Sequence, residues 1–288
     1  MRRTFWIGRP ASWDHPRMAD EFQRIDSYCD TVSRAAASTE QIGPFTLFVG
    51  RPGRSFYARP TPCLRTTPPG RTDFDRVLDR QRILRQPQSF EWIHDVHPSM
   101  ADAARSAGLA VQLLPLMVLR REPTAVIPAG YAVQILPADD PALPSALAAI
   151  GLSYGTPGTA VGPVGSAERD AATAEDQHQE SVRADIRDGR AVLAVAADRT
   201  GPIAGGCHSP RGNVTEITGF GTLPAQRRRG LGAAVTCALA IDAAAQRVDL
   251  CFLTAGSSEI SRVYAGVGFD RIGTSCIAET HEPIEPDR

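Results

Sequence analysis

No lysine occurs anywhere in this chain, and all 31 of its basic side chains are arginine. Schiff-base catalysis and a lysine-bearing phosphate loop are thereby excluded, since both depend on an ε-amine. Cysteine is scarce: six residues, at positions 29, 63, 207, 237, 251 and 276, with no C-x-x-C pair among them. Neither a metal site nor a disulfide framework is indicated. Reduced thiols are expected, with Cys207, Cys237 and Cys251 as small apolar fillers. No stretch reaches the roughly 18 uninterrupted apolar residues of a membrane-spanning helix. Near the start, Arg2 and Arg3 are followed by Gly8, Arg9 and Pro10 before an apolar core of signal-peptide length develops. A cytoplasmic protein without a membrane partner is expected. Aromatic residues make up only 6% of the chain, and no basic face with interleaved aromatics is visible, so nucleic acid is not an expected partner.

What the chain does contain is the composition of a folded protein, 42% apolar and 22% charged, in a length of 288 residues that suits about two domains. The halves differ in charge. Residues 1–125 hold 18 arginines against 13 acids, a balance of +5, whereas residues 126–288 hold 13 against 19, a balance of −6. The polar, proline-bearing segment Arg120-Arg121-Glu122-Pro123-Thr124-Ala125 lies between them, which predicts two domains, 1–125 and 126–288. An acidic second half favours a cationic partner over a polyanionic one.

Spacing of apolar residues predicts a mixed α/β fold. In the first half helices are expected over 14–36, 74–84 and 99–107. Strands are expected at 45–50 and 56–59, paired across Arg-Pro-Gly-Arg, and at 90–94 and 109–119. In the second half, strands are expected at 131–136, 191–197, 203–208, 214–223, 249–254 and 269–278. Helices are expected at 141–152 and 168–188. A further helix is expected from Leu231 onward, where Leu231, Val235, Ala238 and Leu239 recur at helical spacing, and another from Ser258 to Gly266 with Ser257 or Ser258 as cap. Gly155–Gly165 is a Gly/Pro-rich loop of lid length, and Glu282–Arg288 a polar tail.

One unit bears chemistry. Arg227-Arg228-Arg229-Gly230-Leu231-Gly232 stands between a strand and a helix, so successive backbone N–H groups meet at the positive end of a helix dipole. Gly230 and Gly232 let an anion approach the backbone, and the arginines can fork to phosphate oxygens. The motif G-x-x-x-x-G-K-[ST] is absent, and so is G-x-G-x-x-G. Thr222-Leu223-Pro224-Ala225-Gln226-Arg227-Arg228-Arg229-Gly230-Leu231-Gly232, followed a strand later by Arg262-Val263-Tyr264-Ala265-Gly266-Val267-Gly268-Phe269, resembles the acetyl-CoA motif and the Y-x-x-x-G-F motif of the GNAT acyltransferase superfamily. The resemblance spans roughly residues 128–280.

That resemblance implies a GNAT fold in the second half and acetyl-CoA as cosubstrate. The strand end Phe220, Gly221, Thr222 and Leu223 would pair with the pantetheine arm as an added strand does. Arg227, Arg228, Arg229, Gly230, Leu231, Gly232 and Ala233 would hold the pyrophosphate. Tyr264 would protonate the departing thiolate. Ser257 stands where relatives often carry an asparagine that touches the pantetheine, and Thr222 also departs from the common residue.

Glu216 is the sole acid on the fourth strand, at or within one residue of the register where family members place a general base. It is equally readable as a solvated strand-end residue, and His208 and His178 are further candidates for the base. In the first half, residues 98–111 echo 258–270, with Ala104 at the tyrosine position. Thr67-Pro68-Pro69-Gly70-Arg71-Thr72-Asp73 stands where a phosphate loop would, without R-x-x-G-x-G. This half is expected to be a degenerate GNAT-like domain, an arrangement similar to tandem GNAT proteins of actinobacteria. The string Phe90-Glu91-Trp92-Ile93-His94-Asp95-Val96-His97 puts two histidines near two acids. On a strand, residues 94 and 97 would face opposite ways, which favours packing over a shared metal.

The expected function is N-acetyl transfer from acetyl-CoA to a primary amine of a small molecule through a ternary complex, by a monomer or homodimer. Two alternatives stand beside it. One keeps the fold with another acyl-CoA or a protein or peptide amine, and the other is a CoA-binding regulatory or sensory protein without turnover.

Overall fold

The computed structural model describes residues 18–50, 57–62, 68–156, 158–172 and 176–280. The expected polar tail, residues 14–17 of the first predicted helix, the predicted turn at 51–54 with Phe56 of the strand after it, Cys63 and Thr67, Pro157 of the predicted lid, and residues 173–175 of the helix predicted over 168–188 lie outside them. The first half runs α1 (Met18–Ala36), β1 (Ala37–Ile42), β2 (Phe45–Gly50), β3 (Arg59–Pro60), α2 (Arg71–Ile83), β4 (Ser89–Ile93), α3 (Met100–Ser106) and β5 (Ala110–Leu119). The second runs β6 (Ala132–Leu136), α4 (Leu143–Tyr154), α5 (Ser166–Ala171), α6 (Asp176–Arg187), β7 (Val192–Asp198), β8 (Gly201–His208), β9 (Val214–Thr222), a 3-10 turn (Pro224–Gln226), α7 (Leu231–Ala245), β10 (Leu250–Thr254), α8 (Ser258–Val267) and β11 (Phe269–Glu279). No helix among the described residues is long and apolar enough to cross a membrane.

The mixed α/β character matches the sequence, with three differences. First, β1 is an additional strand. Its residues are mostly polar and none is fully buried, because it forms the outer edge of the small sheet β1-β2-β3 and has no apolar pattern to reveal it. Second, the helix predicted over 168–188 is two helices. The Arg169 side chain is fully buried and donates to the carbonyls of Pro202 (2.6 Å) and Thr200 (2.6 Å), which fixes α5 against the β7–β8 turn, and Ala172 then leaves the helix with extended backbone. Third, β4 ends at Ile93, and His97 follows in a turn whose amide bonds to Ile93 O. The two histidines are therefore not placed by strand alternation. His97 is buried with Nε2 3.6 Å from Asp26 Oδ2 on α1.

The large sheet has the order β4-β11-β5-β10-β9-β8-β7-β6. Strand β5 of the first half lies between β10 and β11 of the second, and β11 in turn separates β4 from β5. Pairing thus crosses the sequence boundary at residue 126 on both strands that the first half contributes. The pattern has an internal two-fold character. In the second half β9 leads through α7 into parallel β10, then through α8 into β11. In the first, β3 leads through α2 to β4 with a parallel bridge Ala58–Phe90, then through α3 into β5.

Alternation along the strands divides the core. Leu116 and Val118 of β5, with Leu250 and Phe252 of β10, pack under α1. Their neighbours Met117, Leu119, Cys251 and Leu253 pack under α7 and α8 with Val235, Leu239 and Tyr264. Helices α2 and α3 bury Phe74, Val77, Met100 and Ala104 against Phe90 and Trp92 of β4. Burying side chains of this size stabilises the fold by roughly 1.5–3 kcal/mol each, which is why the two halves sit on one continuous framework.

Candidate active site

Strands β9 and β10 pair in parallel only from Val214–Leu250 to Glu216–Phe252. Beyond that point β9 stays with β8 on its other side, through Ile217–His208, Thr218–Cys207, Gly221–Gly205 and Thr222–Ala204. Its edge toward β10 has no strand partner there. The two strands diverge into a V whose mouth is framed by the starts of α7 and α8. On the α4 side, a Cβ on Gly221 would stand 2.3 Å from Ser153 Oγ and 2.8 Å from Ile150 Cα, so only glycine lets α4 lie this close to β9.

The loop after β9 turns through Arg228, which has a positive φ of 65°, and Gly230, which N-caps α7 at φ 81°. The first turn of α7 contains no acidic side chain, and the space that a Cβ of Gly232 would take is open. Leu231, Gly232 and Ala233 therefore offer their amides outward, as a helix start does. The arginines are disposed differently from the sequence expectation. Arg227 donates to four carbonyls, those of Ser153 (2.7 Å), Thr156 (2.9 Å), Ala160 (3.0 Å) and Thr222 (3.3 Å), and so ties the α4–α5 loop to the end of β9. Arg228 pairs with Glu259 at 3.1 Å, and Arg229 donates to the Tyr131 hydroxyl at 2.9 Å. Arg227 is an anchor rather than a phosphate fork, while Arg228 and Arg229 stay exposed at the loop surface. The α4–α5 loop is bound along the same ridge, with Gly162 N to Pro224 O at 3.2 Å and Ala225 N to Val164 O at 2.9 Å.

Ser257 caps α8, its hydroxyl accepting from Ile260 N at 3.2 Å. That bond engages the oxygen at the position the resemblance would turn toward a pantetheine and leaves its O–H to donate. Further along α8, Tyr264 is 8% exposed, with its ring 5.5 Å from Phe220 and 6.4 Å from Phe269. Burial, reinforced by the neighbouring Tyr154 hydroxyl, raises its pKa above the ordinary phenol value. Tyr154, at the end of α4, is exposed at the mouth. It was not singled out by any motif, since it lies on a helix whose apolar residues read simply as core.

Glu216 lies on the opposite face of the sheet from α7. By strand alternation it shares the side of Val214, which packs under α1, whereas Thr215 and Ile217 face α7. The groups facing Glu216 are Tyr28 and Cys29 of α1, Glu91 of β4 and Arg59 of β3. Burial first, and then the Glu91 carboxylate, push its pKa up to about 8, against the opposing pull of Arg59. Glu216 is thus neither a solvated strand end nor an ordinary carboxylate. The alternative bases are placed elsewhere. His208 is fully buried behind β9, held between Thr215 Oγ1 (3.1 Å) and Asp242 Oδ2 (2.9 Å), and His178 is exposed on α6. Cys237 and Cys251 are buried and Cys207 partly so.

Known proteins align with this geometry through structure alone. No family model and no curated protein matches the sequence. The structure is similar to a GCN5-related N-acetyltransferase from Kribbella flavida, at 18% identity over 91% of this chain and 96% of that one, with a TM-score of 0.64. It is also similar to a GCN5-related N-acetyltransferase from Sphaerobacter thermophilus, at 13% identity over 91% and 93%, TM-score 0.57. A tandem GNAT protein from the clavulanic acid biosynthesis pathway matches at 15% identity over 83% and 79%, TM-score 0.50. The splayed parallel strands, the glycine-capped helix at their mouth and these likenesses together show that this chain has the fold of the GNAT acetyltransferases.

Proposed function

We propose that the protein is an N-acetyltransferase that moves the acetyl group of acetyl-CoA to a primary amine of a small molecule in a ternary complex. The second half carries the chemistry, and the first is a degenerate acyltransferase-like half. The supporting observation is the open start of α7, with no acid in its first turn, set at the mouth of the β9–β10 split beside the buried Tyr264. Its amides and the exposed guanidinium of Arg229 suit a pyrophosphate, and the free edge of β9 from Ile217 to Thr222 suits an amide-bearing arm laid alongside as a further strand.

Each residue then has a step. The acceptor nitrogen attacks the thioester carbon, forming a C–N bond as the C–S bond breaks. Glu216 takes the proton that the amine gives up, directly or through a water. A base with a pKa of about 8 is matched to that task near neutral pH. Tyr264 remains protonated because its pKa is raised, and it supplies the proton that the departing sulfur accepts. Holding amine and thioester together contributes most of the acceleration, as proximity does in direct transfers.

Calorimetric titration with acetyl-CoA and with free CoA tests the reading. Micromolar binding, about −8 kcal/mol, is expected. It should be lost in Gly230→Asp, which puts a carboxylate at the cradle. Tyr264→Phe should keep the affinity while thiol release from an amine panel falls. Failure of the folded protein to bind either ligand overturns the proposal.

A further inference from the structure

The two-fold character of the fold gives the first half a mouth of its own. Where the ends of β9 and β10 meet the starts of α7 and α8 in the second half, the ends of β3 and β4 meet the starts of α2 and α3 in the first. A cavity of about 270 Å³ lies there. Its wall is unlike a coenzyme cradle. Pro60 ends β3, Pro68 and Pro69 precede α2, Pro98 precedes α3, and Pro44 lines the cavity from the β1–β2 turn. Proline has no N–H, so the strand end and loops that would offer amides to an amide-bearing arm or a phosphate offer few here. Asp73 adds a carboxylate to the first turn of α2. An anion entering this mouth would lose water and find little to replace it.

One polar side chain of the wall has hydrogen-bonding capacity to spare. His97 is 8% exposed, and neither of its ring nitrogens makes a hydrogen bond among the described residues. Its Nε2 is buried 3.6 Å from Asp26 Oδ2, beyond hydrogen-bond range, which leaves Nδ1 for the cavity. The Thr61 hydroxyl, also in the wall, is already engaged by Gln41 and Thr46. A ligand hydroxyl suits His97 in either protonation state, since it donates to a bare ring nitrogen and accepts from a protonated one. The prolines have no rotamer freedom to lose, so the wall is shaped in advance, and packing of flat rings is how proline and aromatic groups recognise each other. A cavity of roughly 150 Å³ already holds benzene. One of about 270 Å³ has room for a substituted ring.

We propose that this cavity is a second ligand site and that it takes a small uncharged phenol, its ring against the prolines and its hydroxyl on His97. The first half has kept the mouth and changed the guest. Occupancy of this site is independent of what the second half transfers.

The test titrates the full chain with three probes while the histidine ring protons are followed by NMR. They are p-cresol, 4-methylcyclohexanol, which keeps the size and hydroxyl without the aromatic face, and p-tolyl phosphate, which keeps the ring and adds charge. p-Cresol should bind with a Kd of about 1 mM or below and move the His97 resonance, identified by its absence from His97→Gln. Methylcyclohexanol should bind about fivefold more weakly or worse, and the phosphate should not bind. Ser99 is exposed at the rim and its side chain makes no cap bond, so Ser99→Trp should keep the start of α3 and obstruct the cavity. That variant should lose p-cresol and titrate with acetyl-CoA as the wild type does. Absence of p-cresol binding, an unmoved His97 resonance, methylcyclohexanol or p-tolyl phosphate binding as tightly as p-cresol, or undiminished p-cresol binding in Ser99→Trp each overturns the proposal. Two acetyl-CoA molecules per chain would overturn it as well, by making this mouth a coenzyme site. If either variant does not fold, the three probes on the wild type decide alone.

Discussion

Helix α2 of the first half and helix α7 of the second both follow a strand whose next partner is parallel, and both start from a glycine. Three residues in, they part: α2 has Asp73 and α7 has Ala233. The Asp73 carboxylate turns back and accepts from Gly70 N at 2.9 Å, closing the start of α2 with a charge of the chain's own. Helix α5 does likewise, Glu168 accepting from Gly165 N at 2.7 Å. Among these glycine-capped helices, α7 keeps its first turn free of acid. The difference teaches that the proposed anion cradle depends on what is withheld. A helix start that carries its own carboxylate repels an anionic ligand, and one without it leaves its positive end to the ligand.

Transplanting the plug should have the largest effect. Ala233→Asp puts in α7 the residue that α2 has, and the carboxylate would meet a pyrophosphate of like charge. Acetyl-CoA affinity should fall roughly a thousandfold by calorimetry, a like-charge cost of several kcal/mol, while the melting temperature holds or rises. Retained affinity would break the comparison. Next is Glu216→Gln, which separates the charge cluster from the cradle. Turnover should fall about a hundredfold with coenzyme affinity unchanged, and the rise in kcat/KM through about pH 8 should disappear. Stability carries the opposite signature. Folded Glu216 keeps its proton to a higher pH than the unfolded chain does, so its contribution is complete below the ordinary carboxylate range and is lost as pH rises through about 8. Above that pH the variant should resist urea better than the wild type, by on the order of 2–4 kcal/mol. The smallest effect is expected of Asp73→Ala. Opening α2 should cost about 1 kcal/mol in denaturant unfolding and leave acetyl-CoA stoichiometry at one per chain, since the loop before α2 lacks the glycine and arginine pattern of the loop before α7.

Much of this was legible in the sequence for a physical reason. Helix α7, its glycine turn and Tyr264 on α8 are local features, set by residues within a few positions of one another. Contacts made across long separations were not legible. That Arg227 would bind the carbonyls of Ser153 and Thr156, or that Tyr28 and Cys29 would roof Glu216, depends on elements far away in the chain. The use of Ser257 as a cap was visible, but its consequence for a ligand contact was not. Strand β1 escaped because an exposed edge places no demand on apolar alternation.

The interleaving of β5 and β11 also sets the order in which the protein becomes sound. When the ribosome has finished residue 125, the segments of β4 and β5 are complete, yet the strand that pairs between them, β11, belongs to the second half and is still to be made. Until β11 arrives, the edges of β4 and β5 that it will pair stay open, the condition in which chains adhere to one another. Contacts of such long sequence separation fold slowly. A prematurely terminated product is thus unable to leave behind one good half, and the closing strand decides the fate of both.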